Sequence, residues 1–176
     1  MDFKKRILSQ IQEDYSLSLS ASHHFKEPLT YIENAIDLIT DATVDALNKQ
    51  FDTLGKIDEI FKIGKECSIL NWAEVFDFEA AMLQKGRGIN SEIFGVKLVD
   101  TIDDIAQKAN VRNKTINFLM ATTTPVILSL FHTLTTEEYS PLEFFHKYRN
   151  KKFLKAMNVK YGINLKKYAR SIFNKK

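Results

Sequence analysis

The stretch that decides the fold is residues 113–134, NKTINFLMATTTPVILSLFHTL, in which large apolar side chains recur at helical spacing. That spacing places them on one face of an α-helix, so we predict a long helix that begins near Asn113. Pro125 falls inside the pattern and has no backbone N–H, so we predict a kink or a break within about two residues of it. We expect the hydroxyl groups in residues 121–124 to bond backwards to carbonyl groups beside that proline.

The same helical period extends outward on both sides of this stretch. It predicts further helices over residues 3–14, from Pro28 to Phe51, from about Lys56, from about Asn71 and over residues 97–109. The sequence contains no Asn-Gly or Asp-Gly hairpin signal, and we therefore predict an all-α fold, a multi-helix bundle. With 176 residues, of which 44% are hydrophobic, the chain is long enough to bury a sizeable core.

An internal similarity suggests how the bundle is divided. At an offset of 80, residues 31–51 overlay residues 111–131 and pair apolar position with apolar position. Two interpretations are open, because the two helices either share only a common period or belong to a duplicated helical unit. A duplication divides the chain into helical subdomains at residues 1–70 and 71–136, followed by a basic helical tail at residues 137–176.

The second of these subdomains resembles a known family. The resemblance is carried by Ile-Phe-Gly-Val-Lys at 93–97, Ile-Asp-Asp-Ile-Ala at 102–106 and Pro-Val-Ile-Leu-Ser-Leu at 125–130. Over residues 88–134 the chain is similar to the bacterial domain-of-unknown-function family typified by YidB. Asn110 stands where that family usually has Gly, and a left-handed backbone tolerates this substitution. The resemblance implies a small helical bacterial protein without an established activity.

The charges are segregated along the chain. Residues 146–176 contain nine Lys and two Arg and no Asp or Glu, which leaves 14 basic and 22 acidic residues for the first 145 positions. We call residues 146–176 the basic segment and expect it to meet an acidic surface or a polyanion. Its predicted contact residues for a partner or a polyanion are Lys151, Lys152, Lys160, Lys166, Lys167 and Arg170. A solvated helix with a lysine-rich outer face is the alternative interpretation.

No motif for catalysis or metal binding is complete. Cys67 is the only cysteine, and without a glycine elbow around it we predict a buried structural thiol. His23, His24 and Glu27 have helical spacing, but we interpret them as a helix end or a surface pair. We therefore predict no catalytic residues, no metal, no cofactor and no enzymatic activity.

Two other local features have similarly simple interpretations. Asp100, Asp103 and Asp104 fall outside the apolar stripe of their predicted helix, so we expect a solvated face there. Lys85-Gly86-Arg87-Gly88 is not a phosphate-binding P-loop, because no Lys-Ser/Thr pair follows and no strand precedes it. We predict a hinge or a turn that ends a helix at these glycines.

Composition also bears on location and function. A charged start, the absence of a long apolar run and a single cysteine predict a soluble cytoplasmic protein. The favoured function is a non-enzymatic helical interaction protein, whose basic segment contacts an acidic protein surface. The first alternative is binding of nucleic acid or an anionic membrane through that segment, and the second is an enzyme without a recognisable motif. The sequence leaves the partner and the oligomeric state open.

Overall fold

The computed structural model describes residues 17–50, 54–68 and 80–137, and this part of the chain is all-α, as predicted. Six α-helices and one 3₁₀ turn follow one another, and no strand occurs among these residues. In chain order they are α1 Leu17–Phe25, α2 Leu29–Gln50, α3 Leu54–Ser68, α4 Ala80–Phe94, the turn Gly95–Lys97, α5 Leu98–Ala109 and α6 Asn113–Glu137. Three predicted parts lie outside the described residues. They are the helix over residues 3–14, residues 71–79 of the helix predicted from Asn71, and the basic segment.

Helix α6 is the centre of the bundle and contacts each of the other five helices. Its large side chains are fully enclosed, and they include Ile116, Leu119, Met120, Ile127 and Phe131. Because residues 118–128 are all buried, α6 has no solvent-facing side over this stretch. A helix that is apolar on every side belongs inside a core or a membrane.

From the sequence we expected no apolar run long enough to span a membrane. By length and composition alone, residues Asn113–Thr133 of α6 could cross one, so this expectation is corrected. Within the described bundle, 83% of the most apolar window of this stretch is buried against the other helices. The core helix of a soluble protein has the same character, so the fold is compatible with a soluble protein.

Pro125 does not break α6, because the helix continues from Asn113 to Glu137 without interruption. Of the two predicted outcomes the break is therefore wrong, and the kink stays a prediction. In a regular helix the carbonyl of Ala121 would accept a hydrogen bond from the N–H of residue 125, which proline lacks. Helix α4 approaches α6 at this carbonyl. A methyl group on Gly86 would lie 1.9 Å from the Ala121 oxygen, so only glycine permits the observed approach.

The glycine-rich stretch therefore has a different role from the predicted one. Gly86 and Gly88 both lie inside α4, so they form neither a hinge nor the end of a helix. Gly86 is buried against α6, whereas a methyl group on Gly88 would meet nothing within 4 Å. Helix α3 approaches α6 in a similar way, because a methyl group on Gly64 would lie 3.0 Å from the Leu128 carbonyl oxygen. Two glycines thus let two helices pack closely on α6.

The threonines before Pro125 partly follow the expected pattern. Thr122 Oγ1 donates backwards to the carbonyls of Leu119 and Phe118, at 2.9 and 3.2 Å. Thr124 instead faces α2, where its Oγ1 lies 3.5 Å from Oγ1 of Thr43. Hydrogen bonds thus account for two of these three buried hydroxyls, and one of them joins α2 to α6.

A buried carboxylate joins the loops that precede α2 and α6. Glu27, whose side chain is only 8% exposed, accepts hydrogen bonds at Oε1 from Arg112 Nε and Thr115 Oγ1, each at 2.7 Å. The Arg112 guanidinium also donates to the carbonyl of Phe25, at the end of α1. We call this group of contacts the Glu27–Arg112 clamp. It holds the first residues of α2 and α6 side by side, and the Thr43–Thr124 contact further along shows that both helices run in the same direction.

The two loops have the same local structure. Lys26 and Asn110 are the two non-glycine residues with positive φ in the described chain, at 55° and 56°. The Pro28 carbonyl accepts from the backbone N–H groups of Tyr31 and Ile32, and the Arg112 carbonyl accepts from those of Thr115 and Ile116. These pairs are 84 residues apart, so the overlay at 80 misses the structural equivalence by about one helical turn. A shift of one turn keeps apolar residues on the same face, which explains the apparent match.

We predict that Gly86→Ala lowers the free energy of unfolding by more than about 1 kcal/mol, because the added methyl group collides with the backbone of α6. Gly88→Ala is the matched control on the same helix and should raise that free energy by up to about 1 kcal/mol, through better helix propensity. Urea unfolding of both variants measures the difference. Similar values for the two variants would contradict the close approach of α4 and α6.

We also predict that Glu27→Ala lowers the free energy of unfolding by about 1–3 kcal/mol, because it leaves the donors of Arg112 and Thr115 without their acceptor. Asp104→Ala is the comparison, since Asp104 and Lys108 form an exposed ion pair at 2.6 Å. That pair should contribute less than about 1 kcal/mol. An equally small effect of Glu27→Ala in thermal or urea unfolding would show that the clamp does not hold the two loops.

Candidate functional site

The described surface contains an open groove between α2 and α5, with a volume of about 920 Å³. We call it the α2–α5 groove. Its deeper lining is apolar, and the buried or half-buried residues there are Leu38, Ala42, Ala46, Ile93, Phe94 and Ile105. Five exposed carboxylates stand along its edges, namely Asp41, Asp45, Glu92, Asp100 and Asp104. An apolar base between acidic edges is suited to an amphipathic cationic segment.

The carboxylates come from both walls at matching intervals. Asp41 and Asp45 are one turn apart on α2, and Asp100 and Asp104 are one turn apart on α5. On a helix such pairs lie about 5–6 Å apart, and like charges at this spacing destabilise the helix by about 0.2–0.5 kcal/mol. The acidic row on α2 is longer still, because Glu33 and Asp37 precede Asp41 at the same spacing.

Four lysines also line the groove, and their placement concentrates the negative charge in its middle. Lys108 on α5 donates to Asp104 at 2.6 Å, one turn away on its own helix. Lys49 lies one turn beyond Asp45 on α2, and Lys97 precedes Asp100 on α5. Lys56 is contributed by α3. The central section, between Lys49 and Lys97 on one side and Lys108 on the other, is therefore walled by carboxylates.

At one end of the groove, the side chain of Gln50 caps the C-terminus of α4. Gln50, the last residue of α2, donates from Nε2 to the carbonyls of Glu92 and Ile93. These carbonyls belong to the last turn of α4, where a helix has no partners of its own to offer. Gly95 follows with a φ of 55°, a conformation that favours glycine and starts the 3₁₀ turn. The turn then leaves Val96 97% exposed, and Val99 nearby is 66% exposed.

The groove explains which sequence predictions located functional positions and which did not. Asp100, Asp103 and Asp104 are exposed as expected, but the first and last of them form a wall of the groove. Asp41 and Asp45 were not predicted as site residues, although acids recur at one-turn spacing on α2. The six predicted contact residues of the basic segment all lie outside the described residues.

We expected no metal site at His23, His24 and Glu27, and the structure shows what His24 and Glu27 contact. Glu27 belongs to the clamp, and the ring of His24 packs edge-on against Phe25 with ring centroids 4.6 Å apart. The same imidazole stacks at 6.4 Å on Phe118 of α6. The described residues contain no group of three or more His, Cys, Asp or Glu side chains that could hold a metal ion.

Cys67 is a buried thiol on α3, as predicted. Burial raises the pKa of Cys67 from 9.0 to about 12, because the thiolate would lose its hydration there. Nearby Lys85 opposes this shift and Glu66 adds to it. A thiol with so high a pKa is a poor nucleophile at neutral pH.

We predict that native Cys67 reacts with a disulfide reagent at about pH 8 at least about 100-fold more slowly than the same thiol in the urea-unfolded chain. The reason is that raising the pKa lowers the thiolate fraction and burial also blocks access. Absorbance of the released chromophore measures both rates. Comparable rates would show that Cys67 is accessible and ionised in the folded protein.

Comparison with known proteins adds no assignment, because no family model, no curated protein and no solved structure matches the chain.

Proposed function

We propose that this protein is a non-enzymatic, cytoplasmic helical interaction protein that contacts protein segments through the α2–α5 groove. The observation that carries the proposal is the combination of an apolar base with carboxylates from two helices in one groove. A cationic amphipathic helix satisfies both features, since its apolar stripe covers the base and its flanking cations meet the acids. The basic segment of this chain belongs to the same function, because it offers the complementary charge to an acidic protein surface.

Physical cost supports a functional role for these acids. Like charges one turn apart along Glu33, Asp37, Asp41 and Asp45 disfavour the helical state of α2. Conflicts of this kind between local structure and stability are typical of functional surfaces. A cationic segment in the groove would lower the repulsion within this row, and its affinity would fall with salt because exposed ion pairs are screened.

The resemblance to the family typified by YidB remains part of the proposal and gives it no further support. What it requires locally is a left-handed residue at Asn110, and this residue has a φ of 56° and a ψ of 47°. The groove alone supports protein binding.

We predict that a synthetic amphipathic Leu/Lys helical peptide binds the full chain and shifts the amide resonances of residues 38–50 and 93–105. A matched Leu/Glu peptide should not bind, because its charges repel the carboxylates. Binding should be stronger at about 50 mM than at about 200 mM salt, since the screening length shortens between them. Titration followed by ¹⁵N–¹H spectra measures affinity and location together.

A charge reversal in the groove tests whether the binding is local. Asp41→Lys combined with Asp45→Lys should weaken the Leu/Lys peptide by about tenfold or more, as expected for repulsion between like charges at an interface. Glu59→Lys combined with Glu66→Lys is the control, because both residues are exposed on α3 and neither lines the groove. If both double variants bind alike, or the resonance shifts fall elsewhere, the α2–α5 groove is not the binding site.

A further inference from the structure

We infer that the occupant of the α2–α5 groove is the chain's own basic segment, docked in cis through residues 160–172. This inference rests on the proposed function, since it names the segment that the groove holds when no partner is bound. Three observations carry it: the chemistry of the groove, the pattern of the segment, and the place where α6 ends.

The pattern of residues 160–172 complements the groove. At helical spacing, Leu165, Tyr168, Ala169 and Ile172 share one face, and this face would cover the apolar base. On the same helix Lys160, Lys166, Lys167 and Arg170 lie together on the side opposite the apolar face, and Lys166 is the nearest of them to its edge. With the apolar face on the base of the groove, the long Lys166 side chain can reach the carboxylates of a groove wall.

The basic segment contains no acidic residue that would be repelled by the walls of the groove. Of the groove's four lysines, Lys108 is already paired with Asp104, Lys49 and Lys97 lie beyond the central carboxylates, and Lys56 is contributed by α3. Cations that enter the middle of the groove therefore meet Asp41, Asp45 and Asp100 first. Salt-linked contacts on an apolar base give orientation as well as attraction.

The connection is long enough for docking in cis. Helices α2 and α6 leave the Glu27–Arg112 clamp in the same direction, and Gln50 holds the end of α4 at the far end of α2. The lining of the groove reaches that far end at Gly95, Val96 and Lys97, and α6 runs towards the same end of the bundle. From Glu137 to Lys160 the chain can span about 35 Å even as a continuous helix. A tethered segment also has an effective concentration in the millimolar range, which favours cis over trans docking.

Docking in cis has a functional consequence. An external cationic segment must displace the basic segment before it binds. Its apparent affinity is therefore its intrinsic affinity multiplied by the fraction of molecules whose groove is empty. The same displacement releases the basic segment to contact an acidic partner surface. Occupation of the groove and availability of the basic segment are thus two states of one exchange.

The test uses the full chain with a nitroxide attached at Ser171→Cys, and Cys67 stays unlabelled because it is buried. We expect line broadening of amides in residues 38–50 and 93–105 when label and ¹⁵N are on the same molecule. A mixture of labelled unenriched chain with unlabelled ¹⁵N chain should show no broadening. Broadening only in the mixture would assign the groove to a second copy, and broadening elsewhere or nowhere would overturn the inference.

Two charge variants of the labelled chain separate docking from general attraction. Lys166→Glu with Arg170→Glu reverses two cations of residues 160–172 and should abolish the broadening, whereas Lys151→Glu with Lys152→Glu changes the net charge equally outside these residues and should preserve it. Equal loss in both would show general attraction without docking of residues 160–172 and would contradict the inference. The first variant should also bind the Leu/Lys peptide about tenfold more tightly than the wild-type chain, because its groove is vacant.

These results distinguish the inference from the proposed function. If the label never reaches the groove but the Leu/Lys peptide binds there, only the docking in cis is wrong. If the peptide fails to bind even the Lys166→Glu, Arg170→Glu variant, the groove is not an interaction site and both proposals are wrong.

Discussion

The packing of the bundle depends on the close approach of Gly86 to the Ala121 carbonyl. Pro125 removes the N–H that would bond this carbonyl within α6, and the position opposite it on α4 has no side chain. The backbones can therefore meet where one of them has lost its internal partner. Contacts of a Cα–H group with a carbonyl oxygen contribute about 0.5–1 kcal/mol at such helix crossings. With Gly64 on the opposing α3 helix, this approach lets α6 be covered along its length.

A covered α6 determines where the remaining surface can be functional. Helices α3 and α4 pack on α6, and α2 runs beside it in the same direction from the Glu27–Arg112 clamp. Helix α2 also packs against α5, and Asp41 and Asp45 of its acidic row line the groove between these two helices. The position of Gln50 follows from the same arrangement, because the end of α2 meets the end of α4. The α2–α5 groove thus lies between two helices whose positions depend on their packing around α6.

Local signals predicted the helices well and the contacts between them poorly. The limits of α5 and the start of α6 were predicted because the apolar period stops at Ala109 and resumes after Asn113, and both signals lie within a few residues. The break at Pro125 and the hinge at Gly86 were wrong because each residue was interpreted by its propensity alone. Pro125 leaves the Ala121 carbonyl without its N–H donor, and Gly86 lets α4 approach that carbonyl across the bundle. No local pattern states which glycine faces which carbonyl.

The groove was not predicted, for a related reason. Its lining comes from α2, the end of α4, the turn at Gly95 and α5, which are distant in the sequence. Only the acid spacing on α2 and on α5 was visible beforehand, and each row alone is typical of a solvated face. The offset of 80 shows the same limit, since periodicity cannot distinguish registers that differ by one turn. The αL residues Lys26 and Asn110 fix the register at 84.

Hydrogen–deuterium exchange of the full chain most directly tests the central claim, that an α6 buried on every side over residues 118–128 leaves the α2–α5 groove as the surface for a basic segment. We predict the slowest exchange in residues 115–131, and equally slow exchange there in the wild type and in the Lys166→Glu, Arg170→Glu variant. We also predict faster exchange in the variant for residues 93–101 and 41–50, where the docked segment would otherwise shield and stabilise the backbone. Unchanged exchange along the groove, or α6 exchanging faster than α2 and α5, would contradict it.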